Sequence, residues 1–572
     1  MRPAAAGVRG WTRVGGATAT GVALLLIFAI GPTEAEPTAG AASRSRIQEA
    51  LERPGALRMD GRSLARPTLA RFYRPRDFAP AWSAADGGVE RASALLQALA
   101  EADAHGLEPA RYHLEALRAR RAGLADATTV EAELLLTDAF LRYATDLRAG
   151  RRPPGFEQPD WGIPAPPFDA VAALTRALRR PTEWPALLAS LAPPAPDYAR
   201  LVEALRRYRS LAARADWPLL PAGAPLRPGE DDARVTALRA RLAAEDGPVS
   251  PGVEGRYGGQ LEEGVRRFQA SHGLPPDGIV GQATVRALNV PATDRVRQIA
   301  LNLERWRWLP RDLGRHYIVV NAADATLQVV VDGRSVLTSR VVVGDLRHPT
   351  PVLQARLQAV ILNPQWNVPT SIAVAEILPR LRENPRYLVD KHMVILERRD
   401  SDPFGLAVDW ARISSDPFPF RLQQEPGPDN PLGLIKFDTP NRFDVYLHDT
   451  PIRSLFRRPV RTASHGCIRV ERADDLALHV LADSTGGWTR RRLADAVASG
   501  GPARIALARP LAVYILYWTA FVDPDGVVHF RDDVYGRDRR LADMLASGAA
   551  DPEPPGPGRV GGCPPPGEEG AR

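Results

Sequence analysis

The sequence has very little cysteine, very little lysine and almost no long apolar run. Its 572 residues include 2 Cys, which are too few for a disulfide framework and form no CxxC pair of the zinc or redox type. Lysine occurs only at Lys391 and Lys436 among 74 basic residues, and no stretch is dense enough in Lys and Arg to form a nucleic-acid patch. The net charge of +7 is spread along the chain, so we expect no nucleic acid among its partners.

What is present indicates a chain of several globular domains. The hydrophobic content of 44% is ordinary for folded domains, and 572 residues exceed what one core usually holds. The single long apolar run, 17–30, follows three arginines and is shorter than the roughly 20 residues that span a bilayer. Residues 1–35 therefore indicate a secretory signal peptide, with an uncleaved N-terminal anchor as the alternative. We expect an exported protein that contacts a membrane only through such an anchor.

The patterning divides the rest of the chain into a helical part and a strand-rich part. Apolar residues recur at helical spacing within 45–228, whose last eleven residues form a Pro- and Gly-rich linker. A compact three-helix unit follows over 231–290. From 315 to 505 the pattern is largely that of strands, and Asp332-Gly333 predicts a hairpin between two of them. The expected fold class is a multidomain α+β chain with a mostly β domain.

Three further segments stand apart from this pattern. Residues 369–434 form a long excursion rich in Pro, Asp and Gly inside the strand-rich part, which is typical of a functional lid or subdomain. Residues 506–548 are expected to form a C-terminal extension. Residues 549–572, again rich in Pro and Gly, are expected to be a disordered tail.

One cysteine stands in a pattern that suits nucleophilic chemistry. Cys467 follows Gly466, and a predicted strand ends at His448, about twenty residues upstream. A thiol becomes a nucleophile when a nearby imidazole takes its proton, so a chain that doubles back would pair these two side chains. Gly466 lets the backbone approach a substrate carbonyl, so local N–H groups can form an oxyanion hole. Arg469 could anchor a carboxylate or brace the loop.

Less specific interpretations remain open at the level of the residues alone. An isolated Cys is usually a small buried hydrophobe, and an isolated His is usually a structural hydrogen-bonding group. His448, His465 and Cys467 could instead bind zinc, although only His465 and Cys467 are as close in sequence as zinc ligands usually are. A disulfide between Cys467 and Cys563 is conceivable in an oxidising compartment, although Cys563 lies in the tail.

The residues around Cys467 match a known family at every fixed position. His448 is followed by fifteen residues and then by Ser464-His465-Gly466-Cys467-Ile468-Arg469. This pattern resembles the signature of the L,D-transpeptidase catalytic domain, the YkuD family. The segments that further resemble its large YcbB-type branch are 105–107, 135–143, 363–369, 446–451 and 518–523.

The resemblance also extends to the other units of the chain. The block 268–289 is similar to the three-helix peptidoglycan-binding module, which implies that 231–290 is such a module. Residues 45–228 would then be the helical scaffold domain of this branch, and 315–505 the catalytic domain. The excursion 369–434 would be its capping insertion, and the C-terminal extension would pack on the scaffold.

The resemblance implies a role for each residue of the pattern. Cys467 is the nucleophile and His448 the general base, whose imidazole is oriented by the backbone carbonyl of Asp449. Supporting roles around the nucleophile fall to Ser464, His465, Gly466 and Arg469. The walls of the substrate groove are assigned to Trp366, Asn367 and Tyr446.

The family chemistry is a two-step acyl transfer on peptidoglycan stem peptides. Cys467 would attack the L-centre carbonyl of diaminopimelate in a tetrapeptide donor and release D-Ala, and an amine of a second stem would resolve the thioester to a 3→3 crosslink. No metal or organic cofactor is expected. An L,D-carboxypeptidase or crosslink hydrolase on the same scaffold, or a non-catalytic wall-binding protein, are the alternatives. The resemblance further implies a periplasmic site and covalent inhibition by carbapenem-type β-lactams.

Overall fold

The structure is a computed structural model of the chain, and it describes residues 39–59, 61–82, 87–120, 129–152, 159–214, 217–246 and 255–547. The expected signal segment 1–35, the expected tail 549–572 and Cys563 lie outside the described residues. Across the described ranges, no helix combines the length and the apolar character needed to cross a membrane.

The N-terminal part is helical and has its own apolar core, as the spacing predicts. Its elements are α1 Ala39–Glu52, β1 Arg58–Met59, β2 Arg62–Ser63, α2 Arg66–Tyr73, α3 Gly88–Ala100, α4 Leu114–Ala119, α5 Val130–Ala149, β3 Trp161–Gly162, α6 Ala170–Arg179, α7 Trp184–Leu191 and α8 Pro196–Ala212. α5 is buried along most of its length. The Thr129 side chain caps its first turn and Gly150 ends it, so local signals set both ends of the central helix.

The three-helix unit consists of α9 Arg234–Asp246, α10 Gln260–Ser271 and α11 Gln282–Leu288. Its core also contains Leu220 and Leu226 from the segment expected to be a linker. The Leu226 backbone pairs with Val280, so the last part of 45–228 belongs to this unit rather than to a free connection. Pro and Gly break helices but do not prevent the leucines between them from being buried, which is why the composition was misleading.

The strand-rich part begins after α12 Ala292–Arg307, a helix that was not among the predicted elements. Its strands are β4 His316–Asn321, β5 Thr326–Val331, β6 Arg334–Gly344, β7 Val352–Leu362, β8 Trp366–Asn367, β9 Met393–Ile395, β10 Leu422–Gln424, β11 Ile435–Asp438, β12 Leu447–His448, β13 Thr462–Ser464, β14 Ile468–Val470, β15 Ala503–Leu516, β16 Ala520–Val522 and β17 Val528–Phe530. Its helices are α13 Thr370–Ile372, α14 Leu378–Glu383, α15 Tyr387–Asp390, α16 Ala473–Val480, α17 Arg490–Ala498 and α18 Arg537–Ser547.

The strands form a closed β-barrel around the largest apolar core of the molecule. Within residues 316–516 the pairing runs β11-β12-β14-β6-β5-β4-β15-β7 and returns from β7 to β11. Closure removes exposed sheet edges and fixes the positions of the short strands β11, β12 and β14. The β5–β6 hairpin is confirmed: Asp332 and Gly333 have φ values of +49° and +76°, as a two-residue turn of type I′ requires. The expected α+β fold class is likewise confirmed.

The excursion between β7 and β11 is a separate small subdomain, the cap. It has a three-stranded sheet, β8-β10-β9, and its own core around α14 and Trp410. A π-helical turn, Ala373–Ile377, lies between α13 and α14. The cap starts at β8, slightly earlier than the expected residue 369, because Trp366 and Asn367 pair with β10.

The expected boundary between residues 505 and 506 is wrong. It divides β15, which runs from Ala503 to Leu516 and occupies the place between β4 and β7 in the barrel. The β15–β7 register shifts between Ala506 and Leu511, so the strand accommodates Pro510 at a bulge and stays continuous across the expected boundary. Beyond β15, β16 contacts α8 and α12, and α18 contacts α12.

Candidate active site

Three neighbouring barrel strands place charged and titratable side chains in one row. β12 pairs with β11 so that His448 lies opposite Lys436, and it pairs with β14 so that His448 lies beside Arg469. Directly paired residues project from the same face of a sheet. On each of the three strands a residue next to this row is fully buried in the barrel core. Phe437 follows Lys436, Leu447 precedes His448 and Ile468 precedes Arg469. Because successive side chains on a strand point to opposite faces of the sheet, the side chains of Lys436, His448 and Arg469 point away from the barrel core.

This row lines a cavity of about 900 Å³ between the barrel and the cap. Cys467, directly before β14, and Tyr446, two residues before His448, line the same cavity. Trp366 and Asn367 reach it from β8 of the cap. The structure thus brings together the predicted nucleophile, the predicted base and the three predicted groove residues.

The Cys467 thiol is half-buried and lies against a strained turn. Its sulfur is 3.8 Å from the carbonyl oxygen of Asp444, to which the thiol donates. Asp444 has a φ of +53°, which is rare for a residue other than glycine, and the Asn441 side chain holds this turn by bonding the Val445 carbonyl at 2.7 Å. Burial raises the pKa of Cys467, while Tyr446 and the Lys436 cation beside the sulfur oppose that shift. The resting state is the protonated thiol.

His448 is buried and its orientation is fixed by a backbone oxygen. Its Nδ1 lies 2.5 Å from the carbonyl oxygen of Asp449, which can only accept, so Nδ1 carries the proton and Nε2 is the basic nitrogen. Burial, followed by the nearby Arg469 cation, lowers the pKa of His448 to about 3. Within residues 255–547 no hydrogen bond joins His448 to Cys467. The pair is therefore a neutral thiol and a neutral imidazole, which suits general-base catalysis better than a preformed ion pair.

The protonation states predict how Cys467 reacts with iodoacetamide as the pH changes. Alkylation requires the thiolate, and the raised pKa of Cys467 keeps the thiol protonated at neutral pH. We expect its alkylation rate to keep rising at pH values where a free cysteine peptide has reached its plateau. Measuring both rates from pH 5 to about 11 tests this; a plateau for Cys467 at or below neutral pH would indicate a thiolate–imidazolium pair instead.

The loop that carries Cys467 is held by hydroxyl groups. The Ser464 hydroxyl donates to the Cys467 carbonyl at 2.5 Å and accepts the Gly466 N–H at 3.2 Å. Gly466 has a φ of +101°, a conformation that favours glycine. Because its N–H is already bonded, Gly466 does not offer that group to an oxyanion. The Cys467 N–H has no partner within residues 255–547 and is the better candidate for that role.

A buried threonine ties this loop to the barrel, and it was not found from the sequence. The Thr350 hydroxyl donates to the Gly466 carbonyl at 2.8 Å and accepts the Gly344 N–H at 2.8 Å. The Tyr535 hydroxyl donates to the Gly344 carbonyl at 2.6 Å. A Cβ at residue 344 would overlap the carbonyl oxygen of His348, so only glycine fits there. The C-terminal extension therefore supports the loop that carries Cys467, through Gly344 and Thr350, in addition to its contacts with α8 and α12.

Replacing Thr350 by valine should loosen this loop. Thr350→Val keeps the shape but leaves a buried N–H and a buried carbonyl without partners, at a cost of roughly 1–3 kcal/mol. We expect amide hydrogen exchange in 344–350 and 464–468 to become about tenfold faster or more. Thr338→Val, at an exposed position on β6, is the matched control and should leave exchange in both segments unchanged. Equal exchange in the two variants would contradict the role of Thr350.

The cap touches the loop that carries Cys467 through a contact between a carboxylate and an imidazole. The Nε2 of His465 lies 2.6 Å from the carboxylate of Glu376 on the π-helical turn. The His465 ring also lies 4.7 Å from the ring of His348. His465 is thus at the entrance of the cavity, whereas Arg469 lies within it and its Nε is buried without a partner. Glu376 and His348 were missed because both lie far from the motif in sequence.

The alternative of a zinc site gains no support from the geometry. Among the described ranges, no group of three or more His, Cys, Asp or Glu side chains is placed to hold a metal ion. Cys467 is a free cysteine in the described part of the chain, and its proposed disulfide partner lies outside that part.

Comparison with known families agrees with the site. Residues 315–492 match the family model described as "L,D-transpeptidase catalytic domain", the YkuD model. This chain carries an L,D-transpeptidase catalytic domain. Residues 67–205 match the model "Scaffold domain", and residues 231–288 match "Putative peptidoglycan binding domain". The resemblance stated from the sequence is confirmed for all three parts.

The chain is also similar to individual proteins. It is 35% identical over 245 residues to a Haemophilus influenzae protein named "Putative L,D-transpeptidase", covering 43% of this chain and 49% of that protein. The chain thus spans about half the length of this relative. Two solved L,D-transpeptidases are similar at low identity. That of Xylanimonas cellulosilytica has 18% identity and a TM-score of 0.18 over 52% of this chain and 98% of its own. That of Stackebrandtia nassauensis has 12% identity and a TM-score of 0.21, and the similarity covers 52% of this chain and 96% of that one.

Proposed function

We propose that the chain is a peptidoglycan L,D-transpeptidase that forms 3→3 crosslinks between diaminopimelate residues of stem peptides. The observation that carries this proposal is the placement of Cys467 and His448 on the floor of one cavity inside an L,D-transpeptidase catalytic domain. Neutral His448 supplies a base for the thiol, and the cap residues that line the cavity supply a wall for an extended peptide.

The reaction follows from these groups in two steps. Nε2 of His448 takes the thiol proton as the sulfur of Cys467 attacks the L-centre carbonyl of diaminopimelate. The tetrahedral oxyanion meets the Cys467 N–H, the carbon–nitrogen bond to D-Ala breaks, and the imidazolium returns its proton to the leaving amine. The amine of a second stem then attacks the thioester and loses a proton to His448. The carbon–sulfur bond breaks, and the imidazolium returns that proton to the sulfur of Cys467. No net oxidation or reduction occurs.

The remaining parts of the chain suit an insoluble substrate. A module that matches a peptidoglycan-binding model precedes the catalytic domain and would raise the local concentration of stems at the cavity. An enzyme that acts on peptidoglycan works outside the cytoplasm, so we propose an exported, periplasmic protein. Removal or retention of residues 1–35 decides whether it is also tethered to the inner membrane.

Incubation with a purified disaccharide tetrapeptide tests the proposed reaction. We expect mass spectrometry to find dimers that have lost one D-Ala and whose fragmentation places the crosslink between two diaminopimelate residues. Disaccharide tripeptide without dimers would show that water is the acceptor and would contradict crosslinking. The unchanged tetrapeptide as the only species would contradict an enzyme of this class.

Carbapenem-type β-lactams should acylate Cys467. Their strained carbonyl can accept the thiol in the same way as the donor carbonyl, and the cavity of about 900 Å³ is large enough for such a molecule. We expect intact mass to rise by one drug molecule and peptide mapping to place it on Cys467. Cys467→Ala is the control and should stay unmodified; an unmodified wild-type protein would contradict the prediction.

A further inference from the structure

Lys436 is one of only two lysines in the chain, and it lies in the candidate active site. It is half-buried on β11, directly opposite His448, and lines the cavity with Cys467. Its Nζ is 3.9 Å from the ring centroid of Tyr446, which itself lies beside the sulfur. The ammonium is therefore held over an aromatic face close to the reacting group.

Most charges around this cavity are paired, but two cations are not. Arg421 pairs with Glu397 at 2.6 Å. Glu376 pairs with His465 at 2.6 Å, and His348 with Asp345 at 3.1 Å. Within residues 255–547, neither Lys436 nor Arg469 makes an ion pair. The anionic side chains nearest Lys436 are Asp438, which is bound to Arg504 at 2.7 Å, and Asp444, which is exposed at the edge of the cavity.

Two partly buried cations that form no ion pair within residues 255–547 are costly, because burial removes water and no carboxylate is bonded to either of them in its place. Burial indeed lowers the pKa of Lys436 and that of Arg469. A ligand that brings a carboxylate into the cavity would supply a counter-ion to these cations and reduce the cost of burying them. A donor stem peptide is such a ligand, since it ends in a free carboxylate next to the bond that is cleaved.

We propose that Lys436 binds a carboxylate of the acyl donor and so positions the donor carbonyl over Cys467, with Arg469 as a second cation in the same cavity. The identification of the ligand as a stem peptide rests on the proposed function. The chemistry of the site, a carboxylate beside a reactive thiol, is independent of which peptide brings it. Lys436 is thus a positioning residue.

The competing explanation is that Lys436 acts only by stabilising the thiolate. Two alkylating reagents of nearly equal size separate the two roles. Both iodoacetate and iodoacetamide need the thiolate, but only iodoacetate carries a carboxylate. The ratio of their rate constants on one protein sample cancels the thiolate fraction and reports carboxylate recognition alone. A free cysteine peptide gives the reference ratio.

The experiment uses the full chain and compares the wild type with Lys436→Met, Lys436→Gln and Lys436→Arg. We expect the wild type to favour iodoacetate about tenfold over the reference, which corresponds to about 1.4 kcal/mol. Lys436→Met and Lys436→Gln should lose most of this preference, and Lys436→Arg should keep most of it. Lys391→Met, at the other lysine, which pairs with Asp429 at 3.5 Å on the cap, should equal the wild type. Circular dichroism and melting curves on the same samples establish that each variant is folded.

An unchanged ratio in folded Lys436→Met and Lys436→Gln would overturn the proposal. A parallel fall of both rate constants at a constant ratio would also overturn it, because Lys436 would then affect only the thiolate. The outcome does not depend on transpeptidation. If these variants lose the preference for iodoacetate, the result supports the carboxylate site even when the tetrapeptide assay yields no dimer. A dimer-forming enzyme with an unchanged ratio would retain the proposed function and lose this inference.

Discussion

Cys467→Ala should abolish both crosslink formation and release of D-Ala, with a loss of at least about a thousandfold. The substitution removes the sulfur atom that forms the proposed acyl intermediate. It costs the fold little, because the sulfur is half-buried and its hydrogen bond to the Asp444 carbonyl is a long one of 3.8 Å. D-Ala released from a tetrapeptide donor, measured with a coupled assay, gives the rate.

The control for this substitution is Cys467→Ser, which keeps a hydroxyl at the same place. It should retain the fold and lose most of the activity, since a serine hydroxyl is a much weaker nucleophile than a thiol unless it is strongly activated. If Cys467→Ala released D-Ala at a rate close to the wild type, the assignment of the nucleophile would be wrong.

His448→Gln should lower kcat/KM by about 10²- to 10⁴-fold while the protein stays folded. Glutamine can still bond the Asp449 carbonyl through its amide, but it has no basic nitrogen for the thiol proton.

The pH dependence of the wild-type activity is a second expectation. Because the pKa of His448 is about 3, the imidazole is neutral above that pH, and the activity should not fall through pH 7 to 5 from its protonation.

Steady-state rates between pH 4 and 9 check both expectations. His479→Gln is a matched control, because His479 lies on α16 against His316 and does not line the cavity. It should behave like the wild type. An acid limb near pH 6 to 7 that disappears in His448→Gln would contradict the buried, neutral state of this histidine.

The proposed pair of Cys467 and His448 and much of the barrel were predictable because their signals are local. The spacing from His448 to Cys467 is a sequence pattern, and Asp332-Gly333 sets a hairpin turn by its own backbone preference. The parallel pairing of β12 with β14 then explains why that spacing works: the intervening residues allow the chain to return and place the two strands side by side.

The features that were missed depend on contacts between distant parts of the chain. Thr350 bonds a carbonyl that lies 116 residues away, and no local pattern marks it. Lys436 looks like an exposed strand residue until the register places it opposite His448. Pro510 is a strong local signal for a break, yet pairing on both sides keeps β15 continuous. Closure of the barrel, which decides all three, is a property of the whole domain.

The C-terminal extension connects the site to the rest of the molecule. Tyr535 and Arg537 donate to the carbonyls of Gly344 and Thr350, while Arg531 bonds the Ser271 carbonyl of the three-helix unit at 2.7 Å. Arg537 also pairs with Asp160 at 2.6 Å, next to β3. The loop that carries Cys467 is thus supported through one short segment that contacts the barrel, the helices and the three-helix unit.

Trapping the acyl-enzyme tests directly whether Cys467 carries the acyl group. The full chain is mixed with a disaccharide tetrapeptide in the absence of an added acceptor, quenched in acid within the first turnover and mapped by mass spectrometry. We expect a disaccharide tripeptide joined as a thioester to Cys467, released by hydroxylamine and absent from Cys467→Ala. Turnover with an unmodified Cys467, or an acyl group on any other residue, would contradict it.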